Sequence, residues 1–126
     1  GSGCGGRAGA ISRKCKMHVC ACENMPFTYM VARVADFVFC ACNVKTLYVD
    51  AFEYLAKFDG VFDVAVAYLG PVVNDKLVDY MNKFRVLILI DVPLSNVAPV
   101  RIVNLGPGYT SYGRNKYPHK LFIYEK

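Results

Sequence analysis

The feature that most constrains the fold is the order of elements predicted for residues 61–91. A buried strand, a helix and a second buried strand follow one another directly. Residues 61–69 are mostly apolar, and Gly70-Pro71 then makes a turn. The following residues place a set of apolar side chains on one helical face: Val73, Leu77, Tyr80, Met81 and Phe84. Residues 85–91 are largely aliphatic, as in a strand covered on both faces. The order predicts a βαβ unit, a parallel pair of strands joined by a right-handed crossover.

Shorter segments on both sides of this unit extend the prediction. Residues 16–22 and 36–49 have the β-branched and aromatic content of strands. Asp50 begins a short helix, with Glu53 in the capping-box position, and Gly60 ends it. Two more short strands, at residues 100–104 and 121–124, flank a Gly-rich loop at residues 106–113. We therefore predict an α/β fold with a mainly parallel or mixed sheet and a βαβ core.

The length of 126 residues suits one domain with one core. Residues 1–16 are Gly-rich and basic, which indicates a flexible, tag-like N-terminus, and residues 17–126 are expected to form a single α/β domain. The apolar runs are too short to cross a bilayer, and we find no secretory signal. These features predict a cytoplasmic protein with no membrane partner.

Four of the six cysteines form two Cys-Ala-Cys triplets, at Cys20 and Cys22 and at Cys40 and Cys42. Alternate residues of a strand share a face, so each triplet would present both thiols on one side. Together the four thiols could bind one structural zinc ion in tetrahedral geometry. Buried thiols that only pack, and disulfides, are alternatives that the sequence leaves open.

Basic residues outnumber acidic ones by 15 to 10, which gives a net charge of +5 and favours a partner that carries phosphates. Tyr109 lies close in sequence to Arg114 and Lys116, an aromatic and basic mixture suited to single-stranded bases and their backbone. Ligands of parallel sheets meet the carboxyl ends of strands, where Asp91 and Asn104 lie. Packing of the tyrosines and capping by Asp91 are the structural alternatives.

The sequences of three segments resemble those of the phospholipase D-like superfamily. This superfamily is found in nucleases and in domains attached to helicases and restriction enzymes. The segments are residues 62–70, 85–91 and 118–125, the last reading Pro-His-Lys-Leu-Phe-Ile-Tyr-Glu. The family motif, His-x-Lys-x4-Asp, supplies a histidine nucleophile, a phosphate-binding lysine and an acid. Lys120 and Glu125 keep the spacing of the motif, while His119 directly precedes the lysine. Because two motifs build one site, the resemblance implies a homodimer.

The resemblance implies a metal-independent phosphodiesterase or nuclease that acts on nucleic acid and needs no cofactor for catalysis. His119, Lys120 and Glu125 are then the catalytic residues, and the substrate-binding residues are Asn104, Tyr109, Arg114 and Lys116. Because His119 directly precedes the lysine, a second interpretation is that the chain is an inactive relative of this family. The alternative from another class is a non-catalytic module that binds nucleic acid or protein and contains a structural cysteine cluster, with zinc or disulfides.

Overall fold

A computed structural model describes residues 6–38, 43–110 and 113–126, with side chains described for residues 8–38, 43–105 and 119–126. The chain divides into two compact units, unit 1 at Gly1–Phe58 and unit 2 at Asp59–Lys126. Helix α1, Gly6–Cys15, lies within the segment that was expected to be flexible. The predicted domain boundary between residues 16 and 17 stays a prediction.

Unit 1 continues after α1 with strand β1 (Val19–Glu23), helix α2 (Pro26–Val38), strand β2 (Val44–Tyr48) and helix α3 (Ala51–Lys57). β1 and β2 are parallel, in a register that runs from Val19 opposite Val44 to Glu23 opposite Tyr48. The hydroxyl of Thr46 in β2 donates a 2.6 Å hydrogen bond to Asp36 Oδ2 in α2. Unit 1 is therefore also built on a strand-helix-strand crossover.

Helix α2 occupies residues that the sequence pattern assigned in part to a strand. The predicted strand at residues 36–49 covers the end of α2 and all of β2. The end of the helix was assigned to a strand because valine and aromatic residues, which favour strands, are frequent in it.

Helix α3 begins where the sequence predicted. Asp50 is the N-cap: its Oδ1 accepts hydrogen bonds from the backbone N–H of Phe52 at 2.9 Å and of Glu53 at 3.3 Å. The helix ends at Lys57, shortly before Gly60. An N-cap carboxylate satisfies donors that have no partner in the first helical turn, which explains the start of the helix.

Unit 2 contains strand β3 (Phe62–Ala67), helix α4 (Pro71–Asp75), a 3-10 helix (Lys76–Lys83) and strands β4 (Phe84–Ile90), β5 (Arg101–Thr110) and β6 (Gly113–Glu125). The strands form one sheet in the order β3-β4-β6-β5. β3 and β4 are parallel, while β6 is antiparallel to both β4 and β5. The predicted α/β fold with a mixed sheet and a βαβ core is confirmed.

The core of unit 2 lies on the central strands. Leu87 and Leu89 of β4 and Tyr124 of β6 are almost fully buried. The hydroxyl of Tyr124 accepts a 2.8 Å hydrogen bond from the backbone N–H of Leu94, so the polar end of this buried ring has a partner. This bond holds the segment after β4 against the sheet.

Two predicted elements of unit 2 differ from the structure. The crossover expected as one helix is the short α4 followed by the 3-10 helix, and the expected loop at residues 106–113 lies largely within β5 and β6. Register irregularities between Asn104 and Tyr109 accommodate Pro107, which lies opposite Pro118. Prolines are tolerated at such bulges because no ladder N–H is needed there. Within the described residues, no helix is long and apolar enough to span a membrane.

Candidate functional site

Polar side chains gather at the carboxyl edge of the sheet in unit 1. β1 ends at Glu23, and the backbone N–H of Val49, just after β2, donates to the Glu23 carbonyl at 3.1 Å. Asn24 Nδ2 then lies 3.4 Å from Asp50 Oδ2. Glu23, Asn24 and Asp50 therefore meet at the edge where ligands of parallel α/β sheets bind.

The carboxylate of Glu23 is buried and oriented. Its residue is 4% exposed, and Oε1 accepts a 3.0 Å hydrogen bond from the backbone N–H of Met25. A buried carboxylate is costly unless it accepts hydrogen bonds, and its two oxygens can accept about four. A carboxylate in this position, at the end of the strand after the first helix, binds ribose hydroxyls in dinucleotide-binding folds.

A sequence signal for this site was present and was missed. The chain reads Gly1-x-Gly3-x-x-Gly6, helix α1 follows from Gly6, and Glu23 comes about 20 residues after the glycines. In nucleotide-binding folds this order places a bound group against backbone N–H groups at the helix N-terminus. The same pattern also fits a flexible, tag-like segment, because glycine-rich termini are common in linkers. Residues 1–5 themselves lie outside the described part of the chain.

A pair of thiols lies on one face of β1. Cys20 is exposed, Cys22 is half-buried, and Tyr54 of α3 contacts the pair. A hydrogen bond from Cys22, helped by Tyr54 and by Lys45 opposite in β2, outweighs burial and lowers the pKa of Cys20 to about 6. The same hydrogen bond and burial raise the pKa of Cys22.

The predicted zinc site draws on two thiols that the structure describes and two that it does not. Cys40 and Cys42 lie outside the described residues. Among the residues that are described, no three His, Cys, Asp or Glu side chains are grouped so that they could hold a metal ion. The four-cysteine site stays a prediction.

In unit 2 the structure pairs His119 with Asp91, at the carboxyl end of β4. His119 Nδ1 and Asp91 Oδ2 are 2.6 Å apart, and Asp91 Oδ1 accepts a 3.0 Å hydrogen bond from the backbone N–H of Lys120. Asp91 has a φ of 66°, in the left-handed region that costs a non-glycine residue about 1 kcal/mol. The carboxylate fixes the orientation of the imidazole ring, with Nε2 as its other polar atom.

The other predicted catalytic and substrate-binding residues are spread along β5 and β6. Lys120 lies opposite Asn104, and Glu125 lies opposite Val86. Glu125 is five residues beyond Lys120, so the two are roughly 17 Å apart along the strand. The structure therefore groups His119 with Asp91 and not with Glu125.

For three of the predicted substrate-binding residues, the structure describes the backbone but not the side chain. Tyr109 and Arg114 are backbone partners near the tip of the β5-β6 hairpin, and Lys116 follows in β6. Their side chains lie outside the description. The roles assigned to these residues, and to His119, Lys120, Glu125 and Asn104, are untested.

A buried amide connects α4 to the segment after β4. Asn74 is fully buried, and its Nδ2 donates a 2.7 Å hydrogen bond to the carbonyl of Val92. Next to it, Asp75 accepts hydrogen bonds from the backbone N–H of Ser95 at 2.8 Å and from its hydroxyl at 2.7 Å, and these bonds lower the pKa of Asp75. The two residues fix the turn that follows β3 relative to the turn that follows β4.

Comparison with solved structures identifies similar folds. An RNA methyltransferase from Salinibacter ruber, solved with S-adenosyl-L-homocysteine, has 22% identity and a TM-score of 0.79 over 99% of this chain and 76% of its own. TrmK from M. capricolum, solved with S-adenosyl-homocysteine, has 11% identity and a TM-score of 0.69 over 96% of this chain and 59% of its own. Precorrin 8w decarboxylase from Methanobacterium thermoautotrophicum has 18% identity and a TM-score of 0.61, covering 86% and 70%. No family model and no curated protein matches the chain.

These likenesses correct the predicted family and function. The fold is that of the methyltransferase structures, and the resemblance to the phospholipase D-like superfamily is wrong. The predictions of a phosphodiesterase, nuclease or other hydrolase are wrong for the same reason, and the alternative of a non-catalytic cysteine module has no support. The error arose because a strand-helix-strand order is common to many α/β folds and does not distinguish between them.

Proposed function

We propose that this chain is an S-adenosylmethionine-dependent methyltransferase domain whose cofactor is bound by unit 1. The observation that carries the proposal is Glu23, a buried and oriented carboxylate at the carboxyl end of β1. It follows a Gly-x-Gly-x-x-Gly pattern and a helix at the distance typical of nucleotide-binding units. Similar structures that were solved with S-adenosyl-homocysteine support the same cofactor class.

The donor set at the carboxyl edge of unit 1 fits the nucleoside part of this cofactor. Glu23 would hold the ribose of this cofactor, since a carboxylate can accept hydrogen bonds from two neighbouring hydroxyls. Asn24 and Asp50, in contact with each other, supply further polar groups beside it. The start of α1 would hold the carboxylate of the methionine part through backbone N–H groups. When bound, the cofactor supplies an electrophilic methyl group on a sulfonium.

RNA is the acceptor class that we propose. One of the similar structures is named as an RNA methyltransferase. The net charge of +5 supports this class, because a basic surface attracts the phosphate backbone without reading a sequence.

Calorimetric titration of the chain with S-adenosyl-homocysteine tests the proposal. Replacing Glu23→Gln keeps the shape of the side chain but removes the charged acceptor, and charge-assisted hydrogen bonds contribute about 1.5–3 kcal/mol. We expect the dissociation constant to rise about 10-fold to 100-fold.

The matched control is Glu125→Gln, the same chemical change at an exposed residue of unit 2. It should leave the affinity as it is in the unaltered chain. The proposal fails if the unaltered chain does not bind S-adenosyl-homocysteine, or if Glu23→Gln binds it as tightly as the control does.

A further inference from the structure

The inner face of helix α2 packs against the β1-β2 pair of unit 1. Ala32 is completely buried, and Asp36 accepts the hydrogen bond from Thr46. The ring of Tyr29 packs against that of Tyr48, with centroids 5.4 Å apart. These contacts fix which side of α2 faces the β1-β2 pair.

The opposite side of α2 exposes large apolar side chains. We define the α2 outer face as Phe27, Met30, Val34, Phe37 and Val38. Phe27 is 78% exposed and Phe37 is 85% exposed, and the other three are 62–65% exposed. A helix that is apolar on both sides is normally covered on both sides, and a contiguous apolar patch of this kind marks an interface.

The residues of the α2 outer face have the spacing that is found where two helices pack against each other. Phe27, Met30, Val34 and Phe37 follow one another at intervals of three, four and three residues. These are the a and d positions of a heptad, which form the seam between two paired helices. A large ring stands at each end of the stripe, so the stripe is close to symmetric about its middle.

We propose that the α2 outer face is the interface through which two copies of this chain form a symmetric dimer. In an antiparallel pair related by a two-fold axis, Phe27 of one copy meets Phe37 of the second copy. Met30 in the same way meets Val34 of the second copy. Each contact occurs twice, as a two-fold interface requires.

The exposed area is a large part of what such a dimer needs. The two phenylalanines alone leave roughly 300 Å² in water, given about 150–250 Å² for an aromatic side chain, and Met30, Val34 and Val38 add to it. A standard specific interface buries about 800 Å² on each partner. None of the five residues of the α2 outer face is charged, and the exposed Arg33 lies beside the stripe.

Sedimentation velocity over a range of protein concentrations tests the dimer. The unaltered chain should sediment as a dimer at micromolar concentration, and Val34→Glu should raise the dimer dissociation constant at least 100-fold, because it buries a charge without a partner. Val72→Glu is the matched control, since Val72 is an exposed valine of α4 in unit 2 and its replacement should leave the dimer intact. Circular dichroism establishes that each variant is folded.

A charge-exchange experiment tests the antiparallel arrangement. Met30→Glu and Val34→Lys should each be monomeric alone, and an equimolar mixture should form a heterodimer, because Glu at 30 then meets Lys at 34 of the other copy. The proposal is overturned if the unaltered chain is monomeric at all concentrations, as it would be if another protein or a lipid surface covers this face. It is also overturned if Val34→Glu dimerises as the control does.

Discussion

At the scale of single residues, Cys20 has the environment of a reactive thiol. The thiol of Cys22 and the hydroxyl of Tyr54 are hydrogen-bonded to Cys20, and Lys45 adds a positive charge nearby. Burial and the contact with Cys20 raise the pKa of Tyr54 to about 12, so its hydroxyl remains a donor throughout the neutral range. Reactivity of a cysteine depends on its thiolate, and these neighbours favour the thiolate.

The midpoint of the pH dependence of the Cys20 alkylation rate should therefore lie at an unusually low pH. With a pKa of about 6 in place of 9.0, the thiolate is present above about pH 6, and the rate of reaction with iodoacetamide should fall as the pH drops through that value. Peptide mass spectrometry after timed alkylation measures Cys20 alone. Cys22→Ala should move the midpoint upward because it removes the largest cause of the low pKa.

The control for this experiment is Cys15→Ala, which removes an exposed thiol that makes no contribution to the pKa of Cys20. It should leave the midpoint where it is. A midpoint near pH 9 in the unaltered chain would contradict the hydrogen-bonded pair.

The pairing of Asp91 with His119 shows why single residues of a site escape prediction. Asp91 was recognised as a strand-end residue, and His119 was recognised as a chemical group, yet nothing local in the sequence links two residues 28 positions apart. The antiparallel register of β4 and β6 brings them together. The pattern of a single strand indicates which of its faces is buried, but which residues of β4 and β6 lie opposite each other is decided only when the two strands pack together.

At the scale of elements, α3 depends on its N-cap residue. Asp50 accepts two backbone hydrogen bonds at the start of a helix that has only seven residues. Short helices have little stability of their own, so the cap contributes a large share.

Replacing Asp50→Ala should lower the free energy of unfolding by about 1 kcal/mol, while Asp50→Ser should retain most of it. Urea titration followed by circular dichroism measures the difference. Asp59→Ala, at an exposed aspartate just after α3, is the control and should change the stability by less than about 0.5 kcal/mol. Equal losses at positions 50 and 59 would contradict the capping role.

The elements that were predicted correctly have strong local signals. The β3 to β4 crossover was predicted from two apolar runs, one before and one after Gly70-Pro71. Helix α3 was predicted from the cap at Asp50. α2 was obscured by its valines and aromatic residues, which favour strands. The β5-β6 hairpin was shortened in the prediction because glycines and Pro107 suggest a loop, although a bulged strand can accept them.

At the scale of the whole molecule, the net charge of +5 leads us to expect that binding of the proposed RNA partner weakens as salt is raised. Contact with about four phosphates of single-stranded RNA gives a slope near −3 in log affinity against log salt. Raising salt from about 50 to 200 mM should then weaken RNA binding about 50-fold, as measured by fluorescence anisotropy.

Binding of S-adenosyl-homocysteine to the same protein is the internal control, because it releases few counterions and should change little over this range. An RNA affinity that is as insensitive to salt as the cofactor affinity would contradict a phosphate-binding surface.

The position of β6 has a consequence for the order of events during synthesis. β6 is the last strand of unit 2 to be made, yet it lies between β4 and β5, and its pairing with β4 begins only at Leu121. The ribosome adds about 30 residues after Ile90 before that partner exists, which takes roughly two to six seconds at about 5–20 residues per second. Until β6 is in place, β4, with Leu87 and Leu89, has no antiparallel neighbour, so the sheet of unit 2 is completed only after nearly the whole of its sequence has been made.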